Sequence, residues 1–156
     1  MATALITGAS SGIGAAFAKA LATRQTNLIL VARSKDKLDS LAKQLQEQHQ
    51  IQVEVLGQDL ALPGAATSVF EAVTQKNIAI DLLINNAGFG DYGSFSESSL
   101  AKQLEMIQVN ISALVELTYR FLPGMQQRGS GAIVNVSSIA GFQPLPYRNA
   151  LYPTSF

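Results

Sequence analysis

A chain of 156 residues is long enough for one domain, and a domain near that length hides about 70% of its unfolded surface. With 47% hydrophobic and 14% charged residues and a formal net charge of zero, it is no disordered chain, and no charge block marks a nucleic-acid or anionic-membrane partner. The lack of cysteine excludes disulfides, thiolate metal sites and a cysteine nucleophile, and the single histidine, His49, excludes a Ser-His-Asp triad unless it serves itself.

Residues 2–7 (ATALIT) are a short apolar run that predicts a strand ending at Gly8. Helical spacing follows over 12–24, with Ile13, Phe17 and Leu21 on one face. The run 27–32 (NLILVA) predicts a second strand. Ser34 is the candidate N-cap of a helix marked by Leu38, Leu41 and Leu45 and ending about Gln48. Residues 51–56 predict a third strand through Val53 and Val55. Pro63 suits a helix start, and Ala66, Val69, Phe70 and Val73 supply that helix's apolar face. Residues 80–85 (IDLLIN) predict a fourth strand. Residues 97–128 read as mostly helical, with a break near 98–100. Residues 132–137 (AIVNVS) predict a fifth strand. Beyond 139 the chain carries Pro144, Pro146 and Pro153 and shows no period, so 142–156 is expected to be an irregular tail of a single domain.

Five apolar runs alternating with helical stretches predict an α/β fold, a doubly wound, Rossmann-like parallel sheet with helices on both faces. Such a domain commonly has six strands, so the sheet is expected to be incomplete at its C-terminal side, with the fifth strand as an edge. The helix around 104–125 is apolar on more than one face, through Met106, Ile107, Val109, Ile111, Leu114, Val115, Leu117, Phe121 and Leu122. No basic segment precedes a long apolar stretch, and no apolar run approaches the roughly 18 residues of a membrane span. A soluble cytoplasmic domain is the expectation.

The junction of the first strand and helix is TGASSGIG, with glycines at Gly8, Gly12 and Gly14. Glycine permits a tight turn and a close backbone approach to a ligand, and the helix that follows offers free N–H groups and a dipole to an anion. The lysine of a P-loop is missing. At the first crossover of such a sheet this pattern predicts a dinucleotide site; the bland alternative is a tight strand–helix turn. At the end of the second strand, where an acidic residue would bond a ribose 2′-hydroxyl, stands Arg33, followed by Ser34 and Lys35. A guanidinium there suits a 2′-phosphate, so NADP(H) is preferred and NAD(H) is the alternative.

TGASSGIG at 7–14, NNAG at 85–88, Asn110 in MIQVNISA and IVNVSS at 133–138 together resemble the short-chain dehydrogenase/reductases, over the chain to about residue 146. The resemblance implies that Ser10, Ser11 and Ile13 line the cofactor phosphates with Gly8, Gly12 and Gly14, and that Arg33 selects the 2′-phosphate. It implies that Asp59 and Leu60 meet the adenine and that Asn86, Ala87 and Gly88 lie along the ribose. Asn110 matches an asparagine that holds a water in a proton relay. Ser138 matches the serine that bonds the substrate carbonyl, with Ser137 as the second choice. The implied substrate is a small-molecule carbonyl or alcohol, and the helix around 104–125 is implied in subunit contact, making a complete relative a homo-oligomer. The chemistry is consistent: oxygen gains negative charge as a carbonyl receives hydride, and an acid and a hydrogen-bond donor should meet it.

The chain departs from the family where the acid should stand. The family's tyrosine is followed four residues later by a lysine; here Tyr147 and Tyr152 are followed by Leu151 and Phe156, and no lysine comes after Lys102. Tyr152 is the nearest catalytic candidate, one position later than the family's commonest spacing from Ser138. Free tyrosine, with a pKa of about 10, is phenolate only about once in a thousand molecules at pH 7, and the lysine's charge lowers that pKa. The expectation is a truncated or frame-shifted reductase with impaired hydride transfer. The alternatives are a non-catalytic NADP(H)-binding module and a non-functional gene fragment.

Overall fold

A computed structural model of the chain describes residues 1–91 and 93–138. Strand β1 (Thr3–Thr7) leads into helix α1 (Gly12–Ala22), then β2 (Asn27–Ala32), α2 (Lys35–His49), β3 (Val53–Gly57), α3 (Ala65–Gln75) and β4 (Leu82–Asn85). A short 3₁₀ turn (Phe95–Glu97) precedes α4 (Leu100–Ile107), a π-helical turn (Gln108–Ser112), α5 (Ala113–Arg128) and β5 (Ala132–Asn135). The sheet is parallel in every pairing, in the order β3-β2-β1-β4-β5. The strand order reverses between β1 and β4, so a crevice opens at their carboxyl ends.

Alternation along the central strands divides the core. Leu5 of β1, Ile29 and Val31 of β2 and Leu83 of β4 pack with Val69 and Val73 of α3 and Leu117, Phe121 and Met125 of α5. Ala4 and Ile6, Leu28 and Leu30, and Ile84 face the other way, onto Ala18 and Ala22 of α1 and Leu38 and Leu45 of α2. A sheet covered on both faces is what the nearly continuous apolar runs predicted. Strands β1 and β4 are thus packed on both faces up to the ends that meet the crevice.

Several boundaries differ from the sequence reading for visible reasons. Helix α3 starts at Ala65 rather than at Pro63, because Gly64 turns left-handed (φ +77°) just before it. Ser34 occupies the N-cap position of α2, but its side chain makes no capping hydrogen bond. Ser99 does cap α4, accepting from the Lys102 N–H at 3.2 Å. The break expected near 98–100 is present, whereas the π turn interrupts what had read as one helix. Helices α4 and α5 leave Leu104, Val115, Tyr119 and Leu122 exposed, so packing within this chain does not cover all their apolar positions. Strand β5 ends at Asn135 and is the edge of the described sheet, with little of it buried. No helix among the described residues is long and apolar enough to cross a membrane. Residues 142–156, read as an irregular tail, lie outside the described residues, as does Tyr152.

Candidate functional site

The segment after β1 bends as its glycines require. Gly8 and Gly12 have φ of +66° and +53°, conformations that side chains other than glycine rarely adopt. A Cβ on Gly8 would stand 2.9 Å from the Cα of Ala87 and from the Asn86 amide nitrogen. A Cβ on Gly14 would overlap the Gly8 carbonyl oxygen. The first glycine therefore lets the loop pass against the end of β4, and the third lets α1 pack onto the loop. Gly14 is buried under the loop and is not on a cavity wall, unlike Gly8 and Gly12. Ser11, the N-cap of α1, makes no side-chain cap, which leaves the first-turn N–H groups available to an anion.

Thr7 ties this loop to β4. Its hydroxyl accepts from the N–H groups of Asn86 (3.0 Å) and Ala87 (2.9 Å) and donates to the Ile84 carbonyl (3.4 Å). In return the Asn86 amide donates to the carbonyls of Thr7 (2.9 Å) and Gly8 (3.3 Å). Asn86 thus spends its side-chain donors on the end of β1 and the glycine loop. Thr7 had no assigned role in the sequence reading; its signal is a lone hydroxyl at the end of an apolar strand.

The crevice is a cavity of about 580 Å³, a size usual for a small-molecule or cofactor site. Gly8, Ser10, Ser11, Gly12 and Ile13 form one wall. The ends of β2 and β3 contribute Arg33 and Ser34, and Asp59 and Leu60. Asn86, Ala87 and Gly88 continue from β4, and Asn110 enters from the π turn. Sequence reasoning missed Gln58, Phe89, Gly90 and Val109, which also line it. Gln58, Phe89 and Val109 each sit beside a residue that was found, and Gly90 lies two positions beyond Gly88.

Arg33 is exposed and has no ion-pair partner among the described residues, so its guanidinium is uncommitted. Asp59 accepts from the Ala61 N–H at 3.0 Å, which fixes the turn after β3. Asn110 is buried and grips the backbone of Phe89: its amide donates to the Phe89 carbonyl at 2.9 Å and accepts from the Phe89 N–H at 3.1 Å. Gly88 makes room for that grip, since a Cβ there would come 3.1 Å from the Asn110 oxygen. The Lys102 ammonium lies 5.1 Å above the Phe89 ring. At the end of β5, Ser137 lines the cavity and Ser138 follows it, half-buried and off the wall. Among the described residues, Lys35 and Glu116 have displaced pKa values, and neither lines the cavity. Hydrogen bonding to Asp39 and its charge raise that of Lys35, and a hydrogen bond from Thr67, helped by Arg120, lowers that of Glu116.

A glycine cradle, an uncapped helix N-terminus and an uncommitted guanidinium around one crevice fit a phosphate-bearing dinucleotide. Comparison with known proteins agrees. The profile of the short chain dehydrogenases matches residues 2–155. The very-long-chain 3-oxoacyl-CoA reductase of Anas platyrhynchos is 36% identical over 149 residues, which cover 92% of this chain and 47% of that protein. A short-chain dehydrogenase from Sphingobium yanoikuyae, solved in complex with NADPH, superposes with a TM-score of 0.87 at 41% identity, covering 92% of this chain and 56% of that one. The L-sorbose reductase of Gluconobacter frateurii, solved with NADPH and L-sorbose, gives a TM-score of 0.89 at 37% identity, covering 94% and 56%. The chain spans about half the length of the relatives it matches. It belongs to the short-chain dehydrogenase family.

Proposed function

We propose that this chain carries the cofactor half of an oxidoreductase that moves hydride between NADP(H) and a small-molecule carbonyl or alcohol. The observation that carries the reading is the convergence of the glycine loop, Arg33 and the ends of β3 and β4 on one cavity. In this reading 8–13 and the N-terminus of α1 hold the pyrophosphate. Arg33 and Ser34 hold the 2′-phosphate, where a forked guanidinium gives paired hydrogen bonds. Asp59 and Leu60 face the adenine, and 86–88 lie along the cofactor ribose. NADP(H) supplies the hydride when bound; the chain's task is to orient it and to exclude water. Asn110 fixes Phe89 at that end of the cavity, and Ser138, or Ser137 on the wall beside it, donates to the substrate oxygen. Relatives solved with NADPH support the cofactor assignment.

A second reading is a module that binds NADP(H) without turnover. It is favoured by the residue at the family's commonest tyrosine spacing from Ser138, which is Leu151. The exposed Leu104, Val115, Tyr119 and Leu122 support self-association through α4 and α5, and a cytoplasmic location fits a chain of this kind. NADPH oxidation with a broad carbonyl panel separates the two readings. Turnover above buffer supports the oxidoreductase; saturable NADPH binding without turnover supports the module. Binding that persists unchanged in Gly14→Asp refutes the assigned site.

A further inference from the structure

Arg33, Lys35 and Lys37 follow β2 within one turn of chain, yet of these cations Arg33 is the one on the cavity wall. Lys35 is drawn aside. Its stem lies along Gly57, the last residue of β3: a Cβ there would come 3.2 Å from the Lys35 Cβ and 3.4 Å from its Cγ and Cδ. Its ammonium sits 2.7 Å from a carboxylate oxygen of Asp39, one turn along α2. The backbone that carries this side chain and the strand end it packs on both adjoin the cavity. The Lys35 N–H donates to the Arg33 carbonyl at 3.0 Å, and Gly57 directly precedes Gln58 on the wall.

The Lys35–Asp39 pair is held weakly. Its two side chains are 63% and 48% exposed, and exposed pairs of this kind contribute little and exchange readily. Lysine carries its charge on a flexible four-carbon stem, so rotation about that stem moves the ammonium from the flank of α2 toward its N-terminus. A phosphate lodged beside Arg33 carries more negative charge than one carboxylate and competes for the same ammonium. Resting on the reading above that the 2′-phosphate lies at Arg33 and Ser34, we propose that Lys35 is a further ligand for that phosphate, its second cationic one, and that Asp39 governs its availability. Discrimination between NADPH and NADH is then set by four residues, Arg33, Ser34, Lys35 and Asp39, the last an acid that never touches the cofactor.

The test is calorimetric titration of the full chain with NADPH and with NADH, for the wild type, Lys35→Gln, Asp39→Asn and the double variant. Lys35→Gln weakens NADPH binding about two- to five-fold, the range of an exposed ion pair, and Asp39→Asn strengthens it by a similar factor. In the double variant the effect of Asp39→Asn disappears, because it acts through Lys35. NADH dissociation constants and melting temperatures stay put, and the NADPH differences shrink in high salt. Equal changes for both cofactors, or an Asp39→Asn effect that survives without Lys35, overturn the proposal. Arg33→Ala separates it from the cavity reading. Discrimination lost in Arg33→Ala but unmoved in Lys35→Gln overturns the role of Lys35 alone; discrimination unmoved in both overturns the two together.

Discussion

Replacing Thr7 with valine tests how the site is built. The two side chains have nearly the same shape, and Thr7 is 2% exposed, so the change removes an acceptor without opening a cavity. The N–H groups of Asn86 and Ala87, now 3.0 and 2.9 Å from the hydroxyl oxygen, lose their partner. Each buried donor left unpaired costs about 1–3 kcal/mol, and because both residues are only part-buried the low end applies, about 2–3 kcal/mol together. Against a typical stability of about 5–15 kcal/mol that is a large fraction. The wall at 86–88 loosens with it, so NADPH affinity falls too. Thr7→Ser keeps the acceptor and loses a methyl group, costing about 1 kcal/mol with affinity preserved. Urea unfolding monitored by circular dichroism, with NADPH titrations of the same three proteins, reads both quantities. A Thr7→Val chain within 0.5 kcal/mol of wild type would refute the reasoning, on the usual scatter of surface substitutions of about ±0.5 kcal/mol.

Gly14→Ala should destabilise the chain by about 1–3 kcal/mol and abolish NADPH binding, because its Cβ overlaps the Gly8 carbonyl and pushes α1 off the loop; a melt and a titration check it. Gln50 closes α2 in a left-handed conformation with φ +55°, so Gln50→Gly should stabilise by about 0.5–1 kcal/mol in the same unfolding assay. The hydrogen bond from Thr67 and the guanidinium of Arg120 hold the Glu116 carboxyl below its ordinary 4.5. The unfolded chain then binds more protons than the folded one as pH falls, so this contribution is present above pH 4.5 and is lost as pH drops through the lower folded value. Glu116→Gln should flatten that part of the stability-versus-pH curve, and an unchanged acid limb would contradict the assignment.

The sheet was legible because buried parallel strands write nearly unbroken apolar runs, such as 27–32, while α2 writes leucines at helical spacing. The glycine loop was legible because glycine takes the left-handed backbone at positions 8 and 12 without strain and permits the contact at 14. What stayed hidden depends on partners distant in sequence. The segment around Asn110 reads as ordinary helix, and the clasp with Phe89, 21 residues earlier, accompanies its π turn. Such single π turns occur often at functional sites. Thr7 reads as the last residue of a strand until β4 is laid beside β1, 79 residues away along the chain. The start of α3 shifted because Gly64, and not Pro63, sets the local backbone. The contact of Gly14 with the loop's own Gly8 carbonyl likewise depends on the folded loop and has no signal beyond the glycine itself.

The central claim is an NADP(H) cavity whose phosphate selectivity rests on Arg33. The most direct measurement is the dissociation constants of NADPH and NADH for the wild type and for Arg33→Ala. The account predicts saturable single-site binding with NADPH the tighter ligand. It predicts that Arg33→Ala weakens NADPH by about ten-fold or more, as expected for lost hydrogen bonds to a charged group, and leaves NADH unchanged. Equal affinity of the wild type for both cofactors, or an NADPH constant indifferent to Arg33→Ala, would contradict it.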